Sequence, residues 1–256
     1  TATLAAGGTL GILIPPSIVL VIYAILTEQN IAKLFLAAFI PGILAALGYV
    51  IAISIYVRLH PDAAGVKAAV PYAERFKALF DVWPVLLVFA LVVGGIYQGW
   101  FTPTEGAAVG AAGTGFIAWI NRGLTRATFV QSFLVTAKSS AMIFFIILGA
   151  GFYNGFLALT QVPQEISNYV VSQGFSPWMV LSLILLFYLV FGCLMDSLSM
   201  ILLTIPIFFP VVVGLDFGMS QENIAIWFGI LVLIVVEVGL ITPPVGMNLF
   251  VINAMD

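Results

Sequence analysis

The sequence predicts an all-α polytopic membrane protein with two broken helices, and three observations carry that prediction. Of its 256 residues, 62 % are apolar and only 7 % charged, where an ordinary soluble domain has about 25 % charged residues. Apolar runs at 34–57, 83–101 and 141–159 reach or approach the roughly 20 residues that a spanning helix needs. Finally, two apolar segments are interrupted near their centres by adjacent prolines, Pro15–Pro16 and Pro243–Pro244.

The first segment, 1–26, is a span broken at "GGTLGILIPPS". A polar turn over 27–33 leads into the span at 34–57, which opens a run of apolar helices extending to residue 160. Within that run, 58–82 is the longest polar stretch and holds Arg58, Lys67, Arg75 and Lys77. Spans at 83–101 and 104–120 are joined by the tight turn "FTPTEG". There Thr102, Pro103 and Glu105 have the spacing of a capping box with proline at the first helical position. The small-residue run 106–115 behind it suits close helix packing. A second basic loop, 121–127, holds Arg122 and Arg126, and the segment 128–159 begins amphipathic and becomes wholly apolar. Residues 161–176 read as an amphipathic interfacial stretch. The tryptophans at 83, 100, 119, 178 and 227 fall near span ends, where they serve as interfacial anchors.

Residues 177–214 differ from the other spans. Two apolar arms, 177–191 and 200–213, flank "GCLMDSLS". Each arm reaches only about 20–23 Å, short of the ~30 Å hydrocarbon core. A re-entrant hairpin fits better than two full spans, with its polar tip in protein or water at membrane depth. Orientation follows from the basic residues, since six of the eight lysines and arginines lie in 58–82 and 121–126. The positive-inside rule places both loops in the cytoplasm, and the turn at 27–33 and the segment 161–176 on the exterior. The last segment, 224–254, is broken at "GLITPPVG".

The two breaks form a repeat. "GILIPPS" (11–17) and "GLITPPV" (239–245) share a glycine and both prolines at a constant offset of 228 residues. By the loop assignment they run in opposite directions through the membrane. Inverted repeats with a discontinuous helix in each half mark secondary transporters, whose sites lie near the bilayer midplane. Proline ends the first half-helix and suits the first turn of the next. The freed carbonyls suit a hard cation such as Na⁺, and the following helix N-terminus suits an anionic group.

Four stretches, "GGTLGILIPPS", "FTPTEGAAVG", "DSLSMILLTIPIFFP" and "EVGLITPPVGMNLFVINAM", resemble the large membrane subunit of tripartite ATP-independent periplasmic (TRAP) transporters. The resemblance covers essentially the whole chain. It implies an elevator-type fold of the ion-transporter kind in a bacterial inner membrane, and Na⁺-driven symport of small organic anions such as dicarboxylates or sialic acids. It also implies two partners, a small membrane subunit and a periplasmic substrate-binding protein, and no cofactor beyond the coupling ion. The family's large subunit is longer, with a first hairpin in an N-terminal half and a further span after Asp256. The chain, which begins without Met inside an apolar segment, is therefore expected to be a piece of a longer protein. A missing signal peptide then carries no information.

On this reading Gly11, Ile14 and Pro16 are the break half of one Na⁺ site. The second site lies between the hairpin tip and the second break, with Gly239, Thr242, Pro244, Asp196 and Ser197 as ligands. Its carbonyls are those that Pro243 and Pro244 leave without helical partners. Ser17, Ser199 and Asn248 are candidates for substrate contact, although Asn248 suits a bond to a neighbouring helix equally well. Asp196 suits both an ion role and the cap of the second arm. Glu237, at membrane depth, is a candidate coupling carboxylate. It suits tuning a Na⁺ site, binding a proton or pairing with a polar group of the hairpin.

Other functions fare worse. The single cysteine, Cys193, excludes an internal disulfide, and the single histidine, His60, lies in a polar loop. There is no Ser-His-Asp set, Walker loop, zinc motif or basic surface for nucleic acid, so an enzyme is not expected. A channel needs no inverted broken helices. The alternatives are a Na⁺- or H⁺-coupled anion carrier of the same class without a binding protein, and, a distant second, an intramembrane enzyme built on Asp196 and Glu237.

Overall fold

The computed structural model describes residues 2–61 and 70–253. Thr1, residues 62–69 with Lys67, and residues 254–256 lie outside the described residues, as do the parts of the first, basic-loop and last segments that fall on them. Among the described residues the regular elements are all helices, joined by short turns. In chain order the helices are α1 (Ala2–Leu13), α2 (Ile18–Thr27), α3 (Ile31–Leu59), α4 (Tyr72–Asp81), α5 (Trp83–Tyr97) and α6 (Pro103–Ile120). They continue with α7 (Arg126–Thr160), α8 (Val162–Ser172), α9 (Pro177–Gly192), α10 (Ser197–Val213), α11 (Gln221–Ile241) and α12 (Met247–Asn253). Among the described residues, four stretches are long and apolar enough to cross a membrane, namely Gly7–Thr27, Ile31–Leu59, Arg126–Thr160 and Gln221–Ile241. The chain divides into two compact units, Thr1–Ile51 with Ile143–Asp256, and Ala52–Met142.

The first unit is organised around α11, which packs against α9, α10, α1 and α2. Its inner face carries Phe228, Val232 and Val236, all fully buried. Gly229 leaves room for the Tyr23 ring of α2, since a Cβ at Gly229 would sit 2.4 Å from it. The Tyr23 hydroxyl then donates to the Ala225 carbonyl at 2.6 Å. On another side α2 meets α10 and α7, where Ile22, Leu26, Leu198, Leu202 and Ala150 form an apolar cluster. Tyr188 and Thr204 join α9 to α10 by a hydroxyl–hydroxyl bond of 2.7 Å, and the Thr204 hydroxyl also reaches the Met200 carbonyl. These buried polar groups are paired, as burial away from water requires. At one end of the same helices, Trp178, Phe217 and Trp227 pack edge to face with centroids 5.4–5.9 Å apart.

The second unit contains α4, α5 and α6. Here α5 stops at Tyr97, earlier than the apolar run to 101 suggested. Gly99, at φ 74°, turns the chain so that Gly99 N donates to Ile96 O and Trp100 N to Gly95 O. That pair of bonds is a Schellman motif, which ends a helix regardless of the apolar residues beyond it. The capping box at Thr102 forms, with Glu105 N bonded to Thr102 Oγ1 and Thr102 N to Glu105 Oε2. Gly106, Gly110 and Gly113 lie against Ile96, Val92 and Val88 of α5. The polar stretch 58–82 also holds a helix that polarity alone concealed. Its exposed Tyr72, Phe76 and Phe80 recur at i, i+4 and i+8, which places them on one face of α4.

Candidate functional site

The two breaks begin alike and end differently. At the first, Ile14 N still donates to Leu10 O at 2.9 Å. Pro15 and Pro16 carry no N–H, so the carbonyls of Gly11 and Ile12 lose their i+4 donors. The chain restarts at Ser17, whose extended backbone and buried hydroxyl cap α2 by accepting from Leu20 N at 3.4 Å. At the second break Thr242 N tightens to Gly239 O at 2.9 Å. Its hydroxyl takes over the vacated place and donates to Val238 O at 2.5 Å. The chain then passes Gly246, at φ 58°, into α12. In both copies the two prolines are joined by a cis peptide bond.

This geometry corrects one expectation. The Gly239 carbonyl, expected to lack a helical partner, already accepts from the Thr242 amide. Pro243 and Pro244 take the i+4 donors from both Gly239 and Leu240, the repeat counterparts of Gly11 and Ile12, and the tightened Thr242 amide replaces the one lost by Gly239. Gly239 keeps one lone pair for a second partner.

The tip between α9 and α10 lies on the second break. The second arm begins at Ser197 rather than at 200, because Asp196 is its N-cap, with Oδ2 accepting from Ser199 N at 3.0 Å. The turn is thereby reduced to 193–196. Gly192 and Gly239 bring their backbones together, and a Cβ on Gly239 would sit 2.8 Å from Gly192 Cα. The Cys193 thiol donates to Leu189 O at 3.3 Å and to Pro243 O at 3.5 Å. Ser197 Oγ donates to Glu237 Oε1 at 2.7 Å, both residues being buried.

Among the expected residues, the structure therefore joins Ser197 to Glu237 and sets the tip against the second break. Asp196 is exposed and occupied with its cap. Asn248, the second residue of α12, stands half-buried. At the first break, Ile14 packs on Gly42 of α3, while Gly11 and Pro16 are exposed and Ser17 is buried. The sequence reading passed over Gly192 and Cys193. Their small size lets two backbones come close, but small residues recur along the chain and do not by themselves point to the partner.

The sequence model of the family described as "Tripartite ATP-independent periplasmic transporter, DctM component" matches residues 1–256. A C4-dicarboxylate TRAP transporter large permease protein from Pseudomonas aeruginosa is 40 % identical over 251 residues, which cover 97 % of this chain and 56 % of that protein. A sialic acid TRAP transporter large permease from Vibrio cholerae is 31 % identical over 252 residues, covering 97 % and 57 % respectively. An isethionate TRAP transporter permease from Oleidesulfovibrio alaskensis is 31 % identical over 261 residues, covering 99 % of this chain and 39 % of that protein. The chain thus spans a little over half the length of the large permeases it resembles.

Proposed function

This chain belongs to the DctM component family of tripartite ATP-independent periplasmic transporters, and from that premise we propose that it is part of the large permease of a Na⁺-coupled importer of small organic anions. The observation that carries the proposal is the pairing of two proline-broken helices within one unit, the second of them in contact with the α9–α10 tip. The permease sits in a bacterial inner membrane with its basic segments in the cytoplasm. It works with a small membrane subunit and a periplasmic substrate-binding protein. The matched relatives are named for C4-dicarboxylate, sialic acid and isethionate, which are all organic anions, and this chain takes the same class of substrate.

In this reading α9 and α10 enter and leave from the exterior as a re-entrant hairpin. The two arms, of 16 and 17 residues, are each shorter than the roughly 20 that a spanning helix requires. The broken helices are copies inverted in the membrane, and together with the hairpin they form the moving body of an elevator. A Na⁺ ion lies between the tip and the second break. Oxygens of Gly239, Thr242 and Pro244 face those of Asp196 and Ser197, in keeping with the oxygen preference of hard cations. Gly11, Ile14 and Pro16 supply half of a second ion site. Ser17 and Ser199, at the N-termini of α2 and α10, meet the anionic substrate where the helix dipoles favour it, and Asn248 adds an amide. Glu237 couples the hairpin to the break through Ser197.

The test is substrate uptake into proteoliposomes holding the full permease and both partners, under an imposed Na⁺ gradient. Uptake should follow the inward Na⁺ gradient and collapse when Na⁺ is equal on both sides. Uptake that ignores Na⁺ and follows a proton gradient would replace the reading with a H⁺-coupled carrier.

A further inference from the structure

Glu237 has a second carboxylate oxygen that the hairpin does not use. The residue is 4 % exposed, and its Oε2 has no hydrogen-bond partner among the described residues. Burying a carboxylate oxygen without a partner costs several kcal/mol, about 1–3 at the least, so such an oxygen calls for an occupant. It has a place for one. Glu237 lines a cavity of about 240 Å³ between α1, α3 and α11, on whose wall Thr9 and Tyr49 also stand. Thr9 is 2 % exposed, and its Oγ1 lies 3.2 Å from the Tyr49 hydroxyl. The remaining wall is formed by aliphatic residues and Gly48.

The repeat strengthens the argument. Thr9 precedes Gly11 by two residues and Glu237 precedes Gly239 by two, so the two lie at the same offset of 228 as the prolines. Each copy of the broken helix therefore presents one buried oxygen-bearing side chain to the same cavity. Two hydroxyls can turn their lone pairs toward a cation while the carboxylate supplies the charge. An apolar wall around a single negative charge favours one small monovalent ion over a divalent one, which would remain unneutralised in a low-dielectric site.

We propose that this cavity is a monovalent cation site, taking Na⁺ on Glu237 Oε2 with Thr9 Oγ1 and Tyr49 Oη. It is separate from the ion placed between the tip and the second break. Ser197 then serves both sites, since its hydroxyl holds the other carboxylate oxygen. The inference rests on the reading of the chain as part of a Na⁺-coupled permease.

Equilibrium binding of ²²Na⁺ to the purified full permease with its small subunit tests it. Glu237→Gln keeps the acceptor for Ser197 and removes the charge, and the number of ions bound at saturation should fall by one. Thr9→Val keeps shape and removes one oxygen, and it should weaken that same ion about tenfold, equivalent to one lost hydrogen-bond-sized interaction. If Glu237→Gln folds poorly, Thr9→Val and Tyr49→Phe carry the test alone. An unchanged ion count in Glu237→Gln, or unchanged affinity in both hydroxyl variants, would overturn the proposal and leave the cavity to water or to a protonated carboxyl. Absence of any saturable Na⁺ binding in the unaltered permease would overturn the functional reading as well, so the two failures are distinct.

Discussion

The first break and the second share a glycine, two prolines and a cis bond between them, yet their glycines have different neighbours, the second lying backbone to backbone on Gly192 beside the α9–α10 tip. Gly11 faces open space, and a Cβ added there would meet nothing within 4 Å, whereas one added at Gly239 would strike the Gly192 backbone at 2.8 Å. The helix beyond the first break is capped by a serine hydroxyl, while the second ends with a threonine hydroxyl bonded back to its own helix. The same local chemistry thus stands in two different surroundings. Proline determines where each helix stops, and the neighbouring element determines what each stop is used for.

The largest expected effect separates the two glycines. Gly239→Ala forces two backbones apart, and overpacking of this kind costs about 1–3 kcal/mol. Uptake should fall at least tenfold and the melting temperature of the full permease should drop. Gly11→Ala, in helical backbone with room for a methyl group, should be neutral or stabilise by up to about 1 kcal/mol. Equal losses in the two variants would show that the glycines are needed for backbone freedom alone, and the contrast would disappear.

A middle-sized effect separates the caps. Ser17→Ala removes the acceptor for Leu20 N and should cost about 0.5–2 kcal/mol. Amide exchange should then rise in the first turn of α2. Asp196→Ala should do the same to α10, while Asp196→Asn keeps the cap and should leave exchange unchanged. The smallest effect is at Val245, the counterpart of Ser17 and partly exposed. Val245→Ala should shift stability by no more than about 0.5 kcal/mol. A loss there as large as at Ser17 would mean that the second break holds its following helix through a side chain that the first does not need.

Much of this contrast could be read from the sequence, and the reason is locality. Gly-X-X-X-Pro-Pro stops a helix by removing N–H groups, and that needs no tertiary partner, so both breaks were visible. The capping box at Thr102 was visible for the same reason. The Gly192–Gly239 contact joins residues 47 positions apart, and nothing local marks either one as the place of approach. Gly239 was expected to offer a free carbonyl because the sequence shows which amides are missing but not how Thr242 will rearrange to compensate. α4 was concealed because Tyr72, Phe76 and Phe80 are separated by charged residues, which lowered the average apolar content of the segment. Thr9 was passed over because a threonine in a helix can bond to its own backbone, so its presence alone signals nothing. The cavity it shares with Glu237 is what suggests the role proposed above.

The coupling ion proposed above lies at the second break, closed by the α9–α10 tip. Its most direct test is the Na⁺ dependence of uptake in proteoliposomes of the full permease carrying Thr242→Val, compared with Ile14→Val at the matching position of the first break. Thr242→Val preserves shape and removes one oxygen. Its Na⁺ concentration for half-maximal uptake should rise about three- to tenfold, in line with the loss of one oxygen ligand of roughly hydrogen-bond strength, with little change in melting temperature. Ile14→Val contributes only its backbone and should leave the Na⁺ curve unchanged. An unaltered Na⁺ curve in Thr242→Val, repeated in Asp196→Asn and Ser197→Ala, would contradict the claim and remove the ion from the second break.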